Sequence, residues 1–344
     1  MKAKSFFILF ILVSTFGFTQ SNQNASEPQI IPNNDNATII ITLGSCSKVD
    51  LPQPLWQDML KNDPDLFIWM GDMIYGDSQN MEELKKKYDE QLSLPGYADF
   101  IQKTRIIGIY DDHDYGVNDG GKEFKMKKES RDLALDFLNV DKSNPVWERE
   151  GIYQSYMLGD NDVKIILLDT RYFRDRLVRI GNSISVNEGG DILGEDQWAW
   201  LDHELRKDEG QKMTLIVSSI QVISQEHSFE KWSNFPKARK RLFELLHYAN
   251  APNVVFASGD RHFGEISTME YKGKNYYEIT SSGLTHFWEN MPEEPNKHRR
   301  GQVINELNFG IIAISQNSKG KFRYFLKING EKNRILQGLE IYFK

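Results

Sequence analysis

Five short polar clusters in this sequence carry side chains that could bind metal ions. They are residues 44–47, 71–75, 110–114, 218–221 and 258–262. Together they contain a thiol (Cys46), a phenol (Tyr75), several carboxylates and two imidazoles (His113 and His262). This mixture of donors is typical of a centre that holds more than one metal ion. The chemistry therefore depends on whether the fold brings the five clusters together.

Each cluster follows an apolar run that predicts a strand. The runs are 37–43, 65–70, 105–109, 213–217 and 253–257. Apolar runs rich in β-branched residues and bounded by Gly, Asp and Ser are typical of buried strands that end in turns. Amphipathic segments between the runs predict helices, among them one at 82–103 that is interrupted at Pro95-Gly96, and most clearly one at 237–248. Since α/β sheets bind ligands beyond the carboxyl ends of their strands, we expect the clusters to meet at one edge.

The composition is that of a globular protein with a sizeable core. Of the 344 residues, 40% are hydrophobic, and the formal net charge is -7. An acidic protein without a basic stripe is not expected to present a nucleic-acid-binding surface. Because the sequence shows no internal repeat and no linker, we predict a single catalytic domain at 37–344.

The first residues have the pattern of an export signal. Two lysines precede an apolar stretch at 6–13, which is too short to span a bilayer. We predict a signal peptide at 1–20 and a disordered polar leader at 21–36. The protein is then expected to be periplasmic or extracellular, with no transmembrane segment after cleavage.

Cys46, Asp72 and Tyr75 form the first set of candidate ligands. Cys46 is the only cysteine, and a lone thiol in an oxidising compartment favours a bound metal. A carboxylate such as Asp72 can bridge two cations, and thiolate and phenolate favour a transition metal over calcium or magnesium. A Gly-Asp turn and a packed tyrosine are also common structural features, so the pair alone does not decide the question.

Asp112, His113, Asp260 and His262 form the second set. The acids around Asp112 repel one another unless cations or hydrogen-bond donors compensate, although a solvated acidic turn would also explain them. His113 is a candidate general acid, or a group that supports the ligands near neutral pH. Asp260 and His262 are alternate residues after a strand, so their side chains are expected to point to the same side.

Two further residues could contact a substrate. Arg171 could hold a phosphate through its forked guanidinium, or it could form a salt bridge with a neighbouring acid. His286, at the end of the segment 281–286, could approach a substrate.

Taken together, the clusters resemble the PhoD-like alkaline phosphatase/phosphodiesterase family of purple-acid-phosphatase-like metallophosphoesterases. Residues 71–75 match the second motif of that superfamily, Gly-Asp-x-x-Tyr. Residues 44–47 stand in place of Asp-x-Gly, 111–113 in place of Gly-Asn-His, and 258–262 in place of Gly-His-x-His. The order and spacing of these motifs, over roughly residues 38–315, make the set more specific than any single motif.

The resemblance implies a four-layer αββα metallophosphoesterase sandwich and a centre of Fe3+ and Ca2+. Carried over by motif, Cys46, Asp72 and Tyr75 would hold iron, with Asp72 bridging to calcium. Asp112, Asp260 and His262 would complete the cluster. Further candidates around this centre are Asn118, Gln221 and His286.

The resulting hypothesis is an exported enzyme that hydrolyses phosphate mono- or diesters by attack of a metal-bound hydroxide. Cys46 as a thiol nucleophile is a rival, but it would need a histidine partner, and nearby carboxylates would raise its pKa. The sequence also allows a phospholipase D-like diesterase, or an inactive, metal-stabilised binding or surface protein of the same fold. The natural substrate and the oligomeric state stay open.

Overall fold

The computed structural model describes residues 29–31, 38–160, 162–290, 294–317 and 319–343. The predicted signal peptide lies outside these ranges, as does most of the predicted leader at 21–36. Within the leader, strand β1 (Gln29–Ile31) pairs in parallel with strand β5 (Gln154–Leu158). The expectation of disorder therefore does not hold for the residues of β1. None of the helices in the described ranges has the length and apolarity needed to cross a membrane.

Six strands form one mixed sheet. They are β2 (Thr38–Gly44), β3 (Leu66–Met70), β4 (Ile106–Ile109), β14 (Phe309–Gln316), β15 (Phe322–Asn329) and β16 (Ile335–Ile341). Their spatial order is β16-β15-β14-β2-β3-β4. Strands β2, β3 and β4 run in parallel, and β14 to β16 complete the sheet in antiparallel pairs.

A second sheet contains eight strands. Besides β1 and β5 these are β6 (Val163–Leu167), β9 (Met213–Val217), β10 (Val254–Ser258), β11 (Gly264–Tyr271), β12 (Lys274–Ser281) and β13 (Arg299–Ile304). Their order is β1-β5-β6-β9-β10-β12-β11-β13. Strands β6, β9, β10 and β12 are parallel. A small separate hairpin joins β7 (Val178–Ile180) and β8 (Ser183–Ser185).

Helices cover the outer face of each sheet. Those packed on the six-stranded sheet are α1 (Leu55–Leu60), α2 (Met81–Ser93), α3 (Pro95–Lys103), α4 (Asp112–Tyr115) and α5 (Lys127–Phe137). Those on the eight-stranded sheet are α6 (Gly194–Arg206) and α7 (Pro236–Tyr248). Short 3-10 helices lie at Pro145–Glu148, Trp232–Asn234 and Glu331–Asn333.

Strand β3 illustrates how the layers form. Its residues are all buried, because alternate side chains face opposite sides of a strand and both sides are covered. Ile68 and Met70 pack in the core between the two sheets, whereas Phe67 and Trp69 pack against the helices. A core between the sheets and one core beneath each helical layer make the fold the predicted four-layer αββα sandwich.

Backbone hydrogen bonds tie together the loops at one edge of the sandwich. The N–H of Ser47 donates to the carbonyl of Asp72 at 2.9 Å, linking the loops after β2 and β3. The N–H of Leu284 donates to the carbonyl of Ser45 at 3.2 Å, linking the two sheets. The predicted clusters at 44–47 and 71–75 lie on two of these loops. A bond from the N–H of Gly259 to the carbonyl of Ser219, at 2.9 Å, likewise joins the clusters at 258–262 and 218–221.

Candidate metal centre

Several side chains of the centre project from turns with left-handed backbone. Cys46 (φ 61°), Asp72 (φ 50°), Asp260 (φ 67°) and His262 (φ 55°) all have positive φ angles. For residues other than glycine, such a conformation costs about 1–3 kcal/mol and persists where surrounding contacts impose it. Most of the predicted metal ligands therefore occupy strained positions, which is a common property of functional sites.

Two glycines allow the loops to approach one another. A Cβ atom on Gly71, whose φ is 92°, would overlap the Cβ of Asp111, in the loop after β4. A Cβ atom on Gly259 would lie 2.5 Å from the Oγ of Ser45, in the loop after β2. The glycine of each Gly-Asp pair is thus required by close packing, and the aspartate supplies the chemistry.

The first donor group consists of Cys46, Asp72 and His262, whose ligand atoms all lie within 4.8 Å of one another. The Sγ of Cys46 lies 3.2 Å from Oδ2 of Asp72. The hydroxyl of Tyr75 lies 3.1 Å from Nε2 of His262 and 3.5 Å from Oδ2 of Asp72. Ser282, which follows β12, places its Oγ 3.0 Å from the sulfur. The structure thus brings the thiol, phenol, carboxylate and imidazole of separate motifs together.

Two further donor groups extend the centre. Asp72, Asp112 and His113 form one group, and Asp111, Asp112 and Asp260 form the other, again within 4.8 Å. One carboxylate oxygen of Asp112 accepts the backbone N–H of His113 at 2.9 Å. Because Asp72 and Asp112 each belong to more than one group, the donors form a continuous set.

The electrostatics of the carboxylates fit a bound cation. Burial raises the pKa of Asp72 well above its usual range, and the nearby Cys46 and Asp112 raise it further. Burial likewise raises the pKa of Asp260, with Asp111 adding to the effect. Within the described residues, Oδ1 of Asp72 is buried and has no hydrogen-bond partner. Since buried ionised carboxylates are costly without compensation, this donor set suits divalent or trivalent metal ions.

The sulfur of Cys46 is poorly suited to act as a nucleophile. Burial raises the pKa of the Cys46 thiol to about 11, although its hydrogen bonds with Ser282, Tyr75 and Asp72 oppose the rise. A thiol in this environment stays protonated near neutral pH and is a weak nucleophile. A cation bound at the sulfur would instead favour the thiolate, which supports the ligand role over the nucleophile role.

His113, a member of the donor group with Asp72 and Asp112, has its ring held on two sides. Its Nδ1 lies 2.7 Å from Oδ1 of Asp77, and its ring centroid lies 4.1 Å from that of Tyr75. Burial lowers the pKa of His113, but the bond to Asp77 and the nearby Asp72 outweigh that effect and raise it to about 10. The bond at Nδ1 leaves Nε2 as the nitrogen available to the centre.

For Arg171 the sequence allowed either a phosphate contact or a salt bridge with a neighbouring acid. Its guanidinium is completely buried, with Nε donating to Oδ1 of Asp111 at 2.6 Å and Nη1 donating to Oε2 of Glu230 at 2.6 Å. Arg174 pairs with the other oxygen of Glu230 at 2.9 Å. The structure therefore shows the salt bridge that the sequence had left open, in which Arg171 positions Asp111 because its donors are committed to buried acids.

The three further candidates fall in different places. Asn118 is exposed and donates to Asp119, outside the three donor groups. Gln221 is buried but donates to Glu265 at 2.7 Å, also outside these groups. His286 is close to the centre, with its ring centroid 4.5 Å from that of His262. Of these candidates, the structure therefore brings His286 to the site.

Sequence reasoning missed several residues that shape the centre. Asp111 and Ser282 lie inside segments that the motifs had marked, so their neighbours were the available signal. Asp77 follows the Gly-Asp-x-x-Tyr motif closely, and its carboxylate orients His113. Glu230 lies in a stretch with no motif or period, and nothing in the sequence pointed to its role.

One lysine lies beside Tyr75. The Nζ of Lys48 lies 4.8 Å from the ring centroid of Tyr75, and Lys48 is half-buried. Its backbone N–H donates to the hydroxyl of Thr285 at 2.9 Å, which fixes the start of the side chain. Lys48 therefore places a positive charge beside the phenol.

Comparison with one solved structure supports the fold. The solved "Structure of PhoD" superposes with a TM-score of 0.73 at 14% sequence identity, covering 90% of this chain and 73% of that chain. The protein TT1561 of Thermus thermophilus is a weaker likeness, with a TM-score of 0.39 and 9% identity, over 72% of this chain and 91% of that one. No curated protein matches the sequence at a significant level.

A family model described as PhoD-like phosphatase matches residues 79–293. The matched region contains Asp112, His113, Asp260 and His262, whereas Cys46, Asp72 and Tyr75 precede it. Family membership supports a phosphoesterase activity. Because the match covers more than half of the sequence, the chain belongs to the PhoD-like phosphatase family.

Proposed function

We propose that this protein is an exported, metal-dependent phosphoesterase that hydrolyses phosphate mono- or diesters. The observation that carries the proposal is the convergence of three overlapping donor groups from both sheets at one edge of the sandwich. Membership of a phosphatase family supports hydrolysis of phosphate esters as the reaction, and the types of donor atom support a requirement for metal ions. The signal pattern at 1–20 supports export.

The residues that would hold the metals follow from their donor atoms. Cys46, Asp72 and Tyr75 would hold ferric iron, because thiolate and phenolate are suited to a transition metal. Asp112, Asp260 and His262 would complete the cluster, whose second ion would be calcium. When bound, these cations would supply Lewis acidity toward phosphoryl oxygens and a more acidic water. The shared position of Asp72 supports its role as the bridging carboxylate.

Other side chains would bind and orient the ester. Lys48 and His286 stand beside Tyr75, where they can attract and hydrogen-bond phosphate oxygens. His113, whose Nδ1 is bonded to Asp77, would hold a proton at Nε2 and can donate it to an oxygen of the departing group. Arg171 would act indirectly, by fixing the carboxylate of Asp111.

A metal-stabilised binding protein without turnover is the second candidate. The complete burial of Arg171 favours it modestly, because that side chain is not free to bind a phosphate directly. A phospholipase D-like diesterase is the remaining variant of the enzymatic proposal. Substrate tests separate these possibilities.

The direct test combines metal analysis with two chromogenic substrates. Elemental analysis of the purified protein should find iron and calcium, and p-nitrophenyl phosphate or bis-p-nitrophenyl phosphate should be hydrolysed. Chelation should abolish the hydrolysis, and restored metal should recover it. Asp72→Asn should lose metal and activity, whereas Asp99→Asn, at an exposed acid of α3, should keep both. Metal without turnover of either substrate would favour the binding protein, and absence of metal would overturn the proposal.

Iron ligation has its own signature. An iron–phenolate bond gives visible absorption, so Tyr75→Phe should bleach the protein, and Cys46→Ser should lower its iron content. Unchanged colour and metal content in both variants would remove these residues from the ligand set. Export is tested by fractionating cells that express the full chain. Retention of the uncleaved protein in the cytoplasm would contradict it.

A further inference from the structure

An exposed tryptophan stands next to the donor groups. Trp288 keeps 39% of its surface exposed, although its backbone N–H donates to the carbonyl of His262 at 3.2 Å. The ring centroids of Trp288 and His262 are 6.2 Å apart, with the planes at 81°. A large aromatic side chain in water forgoes the stabilisation of burial. An anchored, exposed indole beside a ligand residue is therefore a candidate contact for substrate.

The indole is braced from behind. The ring of Phe229 meets it edge-to-face, at a centroid distance of 5.3 Å and an angle of 85°. The guanidinium of Arg261 lies 4.5 Å from the centroid of Phe229 and is itself paired with Glu294 at 2.6 Å. Arg261 is buried, so this support is fixed. Because the support engages one side of Trp288, the exposed part of the indole is held ready for another ring.

A second exposed aromatic lacks this arrangement. Tyr248, at the end of α7, is 66% exposed, and its described ring contacts are with His247 and the ammonium of Lys272. Neither of these contacts is with a residue of the three donor groups. Tyr248 thus offers a matched control for the removal of an exposed ring.

We propose that Trp288 forms a stacking subsite for a flat aromatic ring carried by the phosphate ester. This inference rests on the proposed phosphoesterase function and narrows its substrate class to nucleotides or aryl phosphates. Stacking on a tryptophan accepts different rings, because every such ring has a π face. The metal donors then select the phosphate, and Trp288 selects the group attached to it.

Pairs of ligands that differ by the ring test the subsite. Adenosine 5′-monophosphate and ribose 5-phosphate form the nucleobase pair, and benzyl phosphate and butyl phosphate form the aryl pair. Dissociation constants are measured by calorimetry on the metal-loaded protein and on Trp288→Ala, Trp288→Phe and Tyr248→Ala, with each ligand supplied as its non-hydrolysable phosphonate analogue so that the protein cannot consume it. In the parent protein, at least one ring-bearing ligand should bind about 5- to 100-fold more tightly than its partner.

The substitutions should separate stacking from general damage. Trp288→Ala should erase the ring preference while leaving the affinity for ribose 5-phosphate or butyl phosphate unchanged. Trp288→Phe and Tyr248→Ala should retain most of the preference. The pair that shows the effect identifies the ring as a nucleobase or an aryl group.

Other results overturn the subsite. They are the absence of a ring preference in the parent protein, a preference that survives in Trp288→Ala, or an equal loss for both members of a pair. Failure of the proposed function is visible separately, as absence of ester hydrolysis by a protein that still shows the Trp288-dependent preference. Hydrolysis without any ring preference would instead leave the proposed function standing and refute the subsite.

Discussion

Two buried acidic regions lie side by side in this protein, and they are neutralised differently. In one, Asp111 and Glu230 pair with the guanidinium groups of Arg171 and Arg174. In the other, Asp72 and Asp260 form no salt bridge with a lysine or arginine of the described chain, and burial raises the pKa of both. The first region carries its own cations, although it shares Asp111 with the donor group of Asp112 and Asp260. The second has the composition of a site that takes cations from solution.

The comparison has a structural consequence. A region that supplies its own counterions should be equally stable with and without metal, and removal of one of its charges should destabilise the folded protein. A region that lacks counterions should gain stability from metal, and in the absence of metal it should gain from losing a charge. If the two regions responded alike to metal and to the loss of a charge, this difference would be contradicted.

The largest effect is expected at Asp72. Asp72→Asn should reduce hydrolysis at least about 100-fold, because the shared carboxylate of two donor groups is lost. The same variant should unfold at a higher temperature than the parent when both are metal-free, because a buried charge has been removed. Calorimetric melting with and without chelator checks this. A lower melting temperature for the metal-free variant would show that Asp72 is not an uncompensated charge.

Glu230→Gln should lower the free energy of unfolding both with and without metal. The substitution leaves Arg171 and Arg174 buried with one fewer acid, which destabilises proteins by about 3–5 kcal/mol. Urea unfolding of the loaded and the metal-free protein should give similar losses. Asp202→Asn removes an exposed acid paired with Arg206 on α6 and provides the control, with little expected change. A loss confined to the loaded protein would place Glu230 with the metal donors.

Glu278 sharpens the comparison, because its carboxylate is held by the backbone N–H groups of Val222 and Ile223. Burial raises the pKa of Glu278 from 4.5 to about 7, despite these hydrogen bonds. The folded state therefore binds the proton more tightly than the unfolded state. The stabilisation is complete below the unfolded pKa and is lost as pH rises through about 7.

The matching experiment compares the parent with Glu278→Gln at about pH 5 and about pH 8 in urea. The parent should lose up to about 3 kcal/mol more than the variant between the two conditions. Equal losses would mean that Glu278 does not bind its proton more tightly in the folded state.

The smallest effect is expected at Lys48. Lys48→Ala should raise KM a few-fold at low salt and leave kcat nearly unchanged, since a partly exposed charge attracts substrate without entering the donor groups. The difference should shrink at high ionic strength because salt screens the interaction. Steady-state kinetics at two salt concentrations test this. A large fall in kcat would instead place Lys48 among the reacting groups.

Much of the fold could be predicted from the sequence because its central strands are buried on both faces. The run predicted at 213–217 matches β9, and the helix predicted at 237–248 matches α7 within one residue. The helical pattern at 82–103 contains Pro95, and it forms two helices because proline begins the second. Strand β13 was missed, because its largely exposed residues leave no apolar pattern.

Local sequence patterns also explain which residues of the site could be predicted and which could not. Cys46, Asp72 and Asp260 could be predicted from the sequence because their turns follow apolar strands directly. The pairing of Arg171 with Glu230 joins residues far apart in sequence, and no local pattern encodes which acid meets which base. Sequence alone therefore left the phosphate-binding and salt-bridge interpretations of Arg171 open, and the buried geometry was needed to separate them.

Asp72 contributes to the donor group with Cys46 and to the group with Asp112. In the proposed two-metal centre, an ion that orders this side chain would also prepare it for a second ion, and occupancy of one position would change the affinity at the other by the same factor in both directions. Binding of the two metal ions should consequently be cooperative. Titration of the metal-free protein with one ion at a time would then give affinities that depend on the sequence of addition.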